Sequence, residues 1–122
     1  MLAPNLLIIY VTDPLKSAAF YEKIFERKSV TAFPTYVAFA FENGLSVALW
    51  SLTAKDFVSS GSGNRSELAF MVPDALEVER LHSLWSGVGV HIEQGLFEAV
   101  FGLTFVALDP DGHRIRVCIP DK

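Results

Sequence analysis

Few side chains in this sequence are placed to do covalent chemistry. His82 falls in a helical stretch beside Leu81 and is expected on a solvated surface, and His91 falls in a short edge strand with no ligand partner at a metal-binding spacing. His113 follows a turn and is expected to be partly exposed and structural. Cys118 is the single cysteine, so no internal disulfide can form, and no histidine lies near it in sequence to generate a thiolate. Ser60, Ser62 and Ser66 lack a nucleophile-elbow context, and Gly61-Ser62-Gly63 opens onto no helix, so it is no phosphate loop. No triad, acid–base pair or nucleotide site emerges, so no catalytic residue and no cofactor is expected. What remains is binding chemistry: flat, apolar aromatic surfaces supplied by residues such as Tyr10 and Trp50.

The 122-residue length fits one domain with a core of its own, and a hydrophobic content of 51% excludes disorder. Ten Lys+Arg against fourteen Asp+Glu give a formal net charge of −4. No basic patch dominates, so neither nucleic acid nor an anionic membrane is an expected partner. The apolar runs are of strand length, well short of the roughly 20 residues that span a bilayer. No Lys or Arg precedes Lys16, so the start lacks the charged segment of a secretory signal, and a cytoplasmic location is expected.

The elements that must carry these residues occur twice. Leu6–Val11 is β-rich and ends at Thr12-Asp13-Pro14, an N-cap and first-turn proline that predict a helix over residues 13 to 27. A short Ser29–Ala32 strand, then Tyr36–Phe41, Asn43-Gly44 and Leu45–Trp50 follow, the last three reading as a hairpin. After a polar Ser/Gly stretch the order returns. Glu67–Val72 is a strand, Asp74 opens a helix carrying Leu76, Val78, Leu81, Leu84 and Trp85, and Gly87 closes it. A Val88–Ile92 strand, a loop through residues 93–100, a Phe101–Leu108 strand, the turn Asp109-Pro110-Asp111-Gly112 and a His113–Ile119 strand complete the copy. The expected organisation is α+β: two tandem βαβββ modules, residues 4–51 and 66–120, joined by a linker over 52–65 within a single domain, 1–122.

Tyr10-Val11-Thr12-Asp13, Ser17 and Phe20-Tyr21, together with Leu108-Asp109-Pro110-Asp111-Gly112-His113-Arg114-Ile115, resemble the signatures of the vicinal oxygen chelate superfamily. That superfamily holds glyoxalase I, extradiol dioxygenases, fosfomycin-resistance enzymes and bleomycin-binding proteins. The resemblance covers nearly the whole chain, and Tyr36–Phe39 through Ala48–Ser51 look most like its phenazine-resistance branch. It implies curved mixed sheets that pair into a cup, across a homodimer with two equivalent sites. It also implies that metal-using members place ligands at positions that here read Leu6, Ala48, Glu67 and Arg116. Leucine and alanine cannot coordinate and arginine is a permanent cation, so no metal site is expected.

Strand alternation extends those positions to whole faces. The helix-facing set becomes Leu7-Ile9-Val11, Leu45-Val47-Leu49, Leu68-Phe70-Val72 and Ile115-Val117-Ile119, all bulky and apolar as a covered face requires. The opposite set is mixed: Leu6-Ile8-Tyr10, Ser46-Ala48-Trp50, Glu67-Ala69-Met71 and Arg114-Arg116-Cys118. Tyr10, Trp50, Ala48 and Met71 have the make-up of a ligand pocket, or else fill a core or a dimer interface. Glu67 and Arg116 either anchor a polar group of a ligand or form an ion pair where a metal site was lost. The function expected is metal-independent binding that sequesters a small aromatic or amphipathic molecule, an antibiotic among the candidates. The alternatives are a metal-dependent glyoxalase- or dioxygenase-type enzyme, and a regulatory dimer whose cup is filled by its own side chains.

Overall fold

The computed structural model describes residues 2–54 and 66–120. The chain divides into two compact units, Met1–Ser60 and Gly61–Lys122. The expected linker lies, from residue 55 to residue 65, outside the described residues.

The first unit runs β1 (Leu6–Val11), α1 (Pro14–Phe25), β2 (Thr31–Phe33), β3 (Tyr36–Ala40) and β4 (Ser46–Ser51). Its sheet has the order β1-β4-β3-β2, with β1 and β4 parallel and the other pairs antiparallel. Asp13 caps α1 by accepting from the Lys16 N–H at 3.2 Å, and Pro14 supplies a preset φ where no intrahelical donor is needed. The helix stops at Phe25, earlier than its pattern suggests, because Glu26 adopts a left-handed conformation. Arg27 then turns away, donating to the Ala40 carbonyl at 2.8 Å and to Glu42. Ile9, Val11, Val37, Phe39, Val47 and Leu49 are buried beneath the helix, whose Tyr21 is also buried and whose Phe25 stands edge-on to Phe39 at 5.1 Å. The β3–β4 turn closes through Leu45 N–H to Asn43 Oδ1 at 3.0 Å, with Gly44 at φ +91°, a conformation that side-chain-bearing residues rarely adopt.

The second unit repeats the plan with β5 (Glu67–Met71), α2 (Ala75–Gly87), β6 (His91–Ala99), β7 (Gly102–Leu108) and β8 (Arg114–Cys118) in the sheet order β5-β8-β7-β6. Again the first and last strands are parallel. Asp74 caps α2 through the Glu77 N–H at 3.0 Å. Trp85 is buried between Phe70 and Phe105, at 5.9 and 5.5 Å between ring centroids. Both sheets therefore carry one helix against their apolar parity, as alternation predicts.

Several local expectations are corrected. Residues 93–99 are not a loop but the greater part of β6, and the strand begins at His91 because Val88 to Val90 serve as the exit from α2. Two register shifts interrupt β6, between Ile92 and Gln94 and between Gln94 and Phe97, and these broke the alternation that would have revealed it. Leu76 and Leu84 match the helical pattern yet lie exposed, Leu76 at 75%, because α2 turns Val78 and Trp85 to its sheet. His82 is not simply solvated; its ring stands edge-on to Phe105 at 5.2 Å.

The β7–β8 turn is organised by Asp109, whose side chain is buried. Its Oδ1 accepts from the N–H groups of Asp111 and His113 at 2.9 and 2.8 Å, and its Oδ2 lies 2.8 Å from His113 Nδ1. That contact raises the His113 pKa above its ordinary value, against the opposing effect of partial burial. A folded value above the unfolded one means that protonated His113 favours the fold. The contribution is complete below the unfolded value of about 6.5 and is lost as pH rises through the folded one. The thermal midpoint is therefore expected to fall as pH rises across this range, and His113→Gln is expected to flatten that slope in pH-dependent melting curves. Asp109→Ala removes the buried carboxylate that accepts from Asp111 N–H, His113 N–H and the His113 ring, and is expected to cost about 2 kcal/mol in denaturant unfolding.

Candidate functional site

The face of the first sheet turned away from α1 carries a row of aromatic side chains. Register pairs Phe33 with Tyr36, Tyr36 with Trp50, and Trp50 with Tyr10, so one aromatic from each of the four strands stands in line. Directly paired residues share a face, and strands are spaced about 4.8 Å apart, so the row crosses about 14 Å of sheet. Tyr10 and Trp50 have nearly parallel rings, 11° apart with centroids at 6.2 Å. Tyr36 stands at 79° to Trp50 with centroids at 5.6 Å, a wall beside that platform. Trp50 keeps 37% of its surface exposed and Phe33 60%. The next row, Ile8, Ala48 and Ala38, is low: two alanines lie beside the aromatic row, with Ala48 itself buried. No charged side chain stands on this face among β1 to β4.

The corresponding face of the second sheet is polar. Arg116 holds Glu67 with two donors, Nε to Oε1 at 2.8 Å and Nη2 to Oε2 at 3.1 Å, while its Nη1 donates to Thr104 Oγ1 at 3.2 Å. The Phe101 ring covers the Arg116 guanidinium at 5.7 Å, a cation–π contact. Arg114 donates from Nε to Glu67 Oε2 at 2.8 Å, from Nη1 to Glu93, and from Nη2 to Gln94 Oε1 at 3.5 Å. The hydrogen bond from Arg116 does most to draw the Glu67 pKa down, to about 2, with Arg114 adding to it. Met71 and Ala69 are exposed on the same face, and Cys118 lies half-buried opposite Met71.

The structure thus places Tyr10, Ala48 and Trp50 together on the open face of one sheet, and Glu67, Arg116 and Met71 on that of the other. The expected Glu67–Arg116 pair is present, and Glu67 is shared with a second arginine. Two aromatic partners were missed. Tyr36 follows from the Asn43-Gly44 turn, which sets the pairing of 36 with 50, and Phe33 follows from Tyr36 across the Pro34-Thr35 turn. Glu93 had no such signal, because β6 does not alternate regularly, and Phe101 lies in the turn between β6 and β7, where no alternation applies. A surface pocket of about 700 Å³ opens at the end of the β6–β7 hairpin, lined by residues including Glu98, Phe101, Gly102 and Ile119, and includes none of the expected binding residues. Phe101 therefore has one flank on that pocket and one on Arg116. Gly102 has φ +116°, a conformation that side-chain-bearing residues rarely adopt, and a Cβ there would lie 2.5 Å from Ile119 Cδ1, so the isoleucine side chain would have to shift.

Two four-stranded mixed sheets, each built as βαβββ with parallel outer-to-inner strands and one helix behind, define an α+β fold of repeated modules. The chain belongs to the Glyoxalase/Bleomycin resistance protein/Dioxygenase superfamily, whose family profile matches residues 3–117. It is 34% identical over 120 residues to the phenazine antibiotic resistance protein EhpR of Enterobacter agglomerans, covering 96% of this chain and 92% of that one. A protein of Agrobacterium tumefaciens known from a solution NMR structure is also 34% identical, with a TM-score of 0.87 and complete coverage of both chains. A glyoxalase-related enzyme from Fulvimarina pelagi has the same fold, with a TM-score of 0.82 at 23% identity over 98% of this chain and 89% of that one.

The depressed pKa of Glu67 has a consequence for stability. A folded value below the unfolded one, about 4.5, means that the ionised carboxylate favours the fold. That contribution is present above pH 4.5 and is lost as pH falls toward about 2. Acid unfolding followed by circular dichroism is expected to show this limb in the wild type and a shallower one in Glu67→Gln.

Proposed function

We infer that the protein binds a small, flat aromatic compound without a metal and protects by sequestration, with a phenazine-type antibiotic as the ligand class. The observation that carries this is the aromatic row Tyr10–Trp50–Tyr36–Phe33 on an uncharged face, with Trp50 and Phe33 exposed and Tyr10 and Tyr36 half-buried beside them. A planar ring system laid on the exposed part of the Tyr10–Trp50 platform gains stacking area. The relation to a phenazine antibiotic resistance protein over nearly the full length of both chains supports the same ligand class. Sequestration works by mass action, so the protein must be present in at least stoichiometric amount.

A metal does not fit the donor set. Leu6 and Ala48 offer no donor, Arg116 is cationic, and both carboxylate oxygens of Glu67 are engaged by guanidinium groups. Among the described residues no three His, Cys, Asp or Glu side chains gather as a metal-binding group. A homodimer is the assembly proposed, since the exposed Leu6 and Ile8, on the same face beyond the aromatic row, are apolar surface of a kind that partners cover.

Tryptophan fluorescence tests the binding. Trp85 is buried between aromatic rings and supplies a constant background, whereas Trp50 is open. Titration with phenazine is expected to quench saturably in the wild type and not in Trp50→Phe. Trp50→Ala is expected to weaken binding by more than about 1 kcal/mol, and Tyr36→Ala by about 0.5–1.5 kcal/mol, with folding intact. Quenching that persists in Trp50→Phe, or no binding at all, would contradict the inference.

A further inference from the structure

The aromatic row of the first sheet stands in a part of the chain without fixed charge. Strands β1 to β4 contain no Asp, Glu, Lys or Arg on either face. The charged side chains described in this unit belong to α1, to its two ends and to the β3–β4 turn. Arg27 pairs there with Glu42, and Lys28 with Glu22 at 3.7 Å. What the face offers in place of charge is the quadrupole of its rings, negative over each ring face and strongest in indole.

Tyr10 and Trp50 lie within 11° of parallel, so a planar guest that stacks on one is parallel to both. Tyr36 crosses Trp50 at 79°, and Phe33, 60% exposed, extends the row. A delocalised organic cation is attracted to ring faces, whereas an anion meets the same negative faces and no Lys or Arg side chain on the sheet. Charge spread over fused rings is weakly hydrated, as a guanidinium is beside an ammonium, so little hydration is lost on stacking. The formal net charge of −4 adds a long-range attraction in the same direction, which salt screens.

We propose that the aromatic face selects planar cations, with Trp50 as a specificity-determining residue. An N-alkylated, permanently charged fused-ring heteroaromatic binds there more tightly than the neutral ring system of the same shape, and an anionic derivative binds more weakly. The proposal rests on the inferred binding function and names the charge of the ligand class that function accommodates.

Equilibrium dialysis in the dark near pH 7 with N-methylphenazinium, phenazine and phenazine-1-carboxylate, against wild type, Trp50→Phe and Tyr10→Leu, tests it. The wild type is expected to bind the cation about fivefold more tightly than phenazine, and the carboxylate more weakly than phenazine. Trp50→Phe keeps a ring with a weaker quadrupole and is expected to lower the cation-to-neutral ratio to about twofold. Tyr10→Leu, which keeps apolar surface and removes a ring, is expected to act in the same direction. Contact with ring faces is short-ranged, so the wild-type ratio is expected to hold when salt is raised to about 0.5 M. Three results overturn the proposal while phenazine still binds and the binding function stands. They are equal wild-type affinity for cation and neutral ring, a ratio that vanishes at high salt and so belongs to net charge, and a ratio unchanged in both variants. Failure of the wild type to bind any of the three compounds overturns both.

Discussion

One helix can cover only one face of a four-stranded sheet, and strand alternation assigns every second residue to the face that is left. Everything chemical in this protein follows from that constraint. In the first unit the covered parity holds Ile9, Val11, Val37, Phe39, Val47 and Leu49, and hydrophobic burial against α1 fixes the register. A slip of one residue would bury Tyr10, Ala48 and Trp50 under the helix and expose the valines. The parallel pairing of first and last strands then brings Tyr10 beside Trp50, and Glu67 beside Arg114 and Arg116, although these residues are distant in sequence.

The two open faces obey different physics. The first is uncharged and broad, suited to dispersion and stacking with a planar ring system. In the second, polar groups satisfy one another: Glu67 serves two arginines, Arg116 also holds Thr104, and Thr104 in turn donates to the Val117 carbonyl at 2.7 Å. Partial burial makes such a network demanding, since removing one member leaves charges without compensation. The Asp109 turn supports it from the neighbouring residue, because His113 directly precedes Arg114.

The fold was legible because its signals are local and doubled. Asp13-Pro14 and Asp74 mark both helix starts, Asn43-Gly44 marks a hairpin, and the helix-facing parity is apolar in all four parallel strands. The positions of Tyr10, Ala48, Trp50, Glu67 and Arg116 on open faces follow from parity alone. Tyr36 was equally derivable and needed only the hairpin register carried four residues further along β3. Glu93 and Phe101 were not derivable. They depend on two register shifts in β6, which come from packing and not from any composition signal, and on a hairpin tip whose conformation the pattern does not encode. Leu76 and Leu84 show the converse failure, since helical spacing identifies a stripe without saying how wide a stripe the sheet can cover.

The central claim is that a planar ligand lies on the open aromatic face of the first sheet. The most direct measurement is a proton–nitrogen correlation spectrum of the two tryptophan indole groups during titration with phenazine. Trp50 and Trp85 occupy opposite settings, one open on that face and one buried among rings beneath α2. The account predicts that the Trp50 indole signal moves saturably, together with the backbone amides of Tyr10, Tyr36 and Ala48, while the Trp85 signal stays in place. Saturable shifts centred on Trp85, or confined to the second unit with Trp50 unmoved, would contradict it.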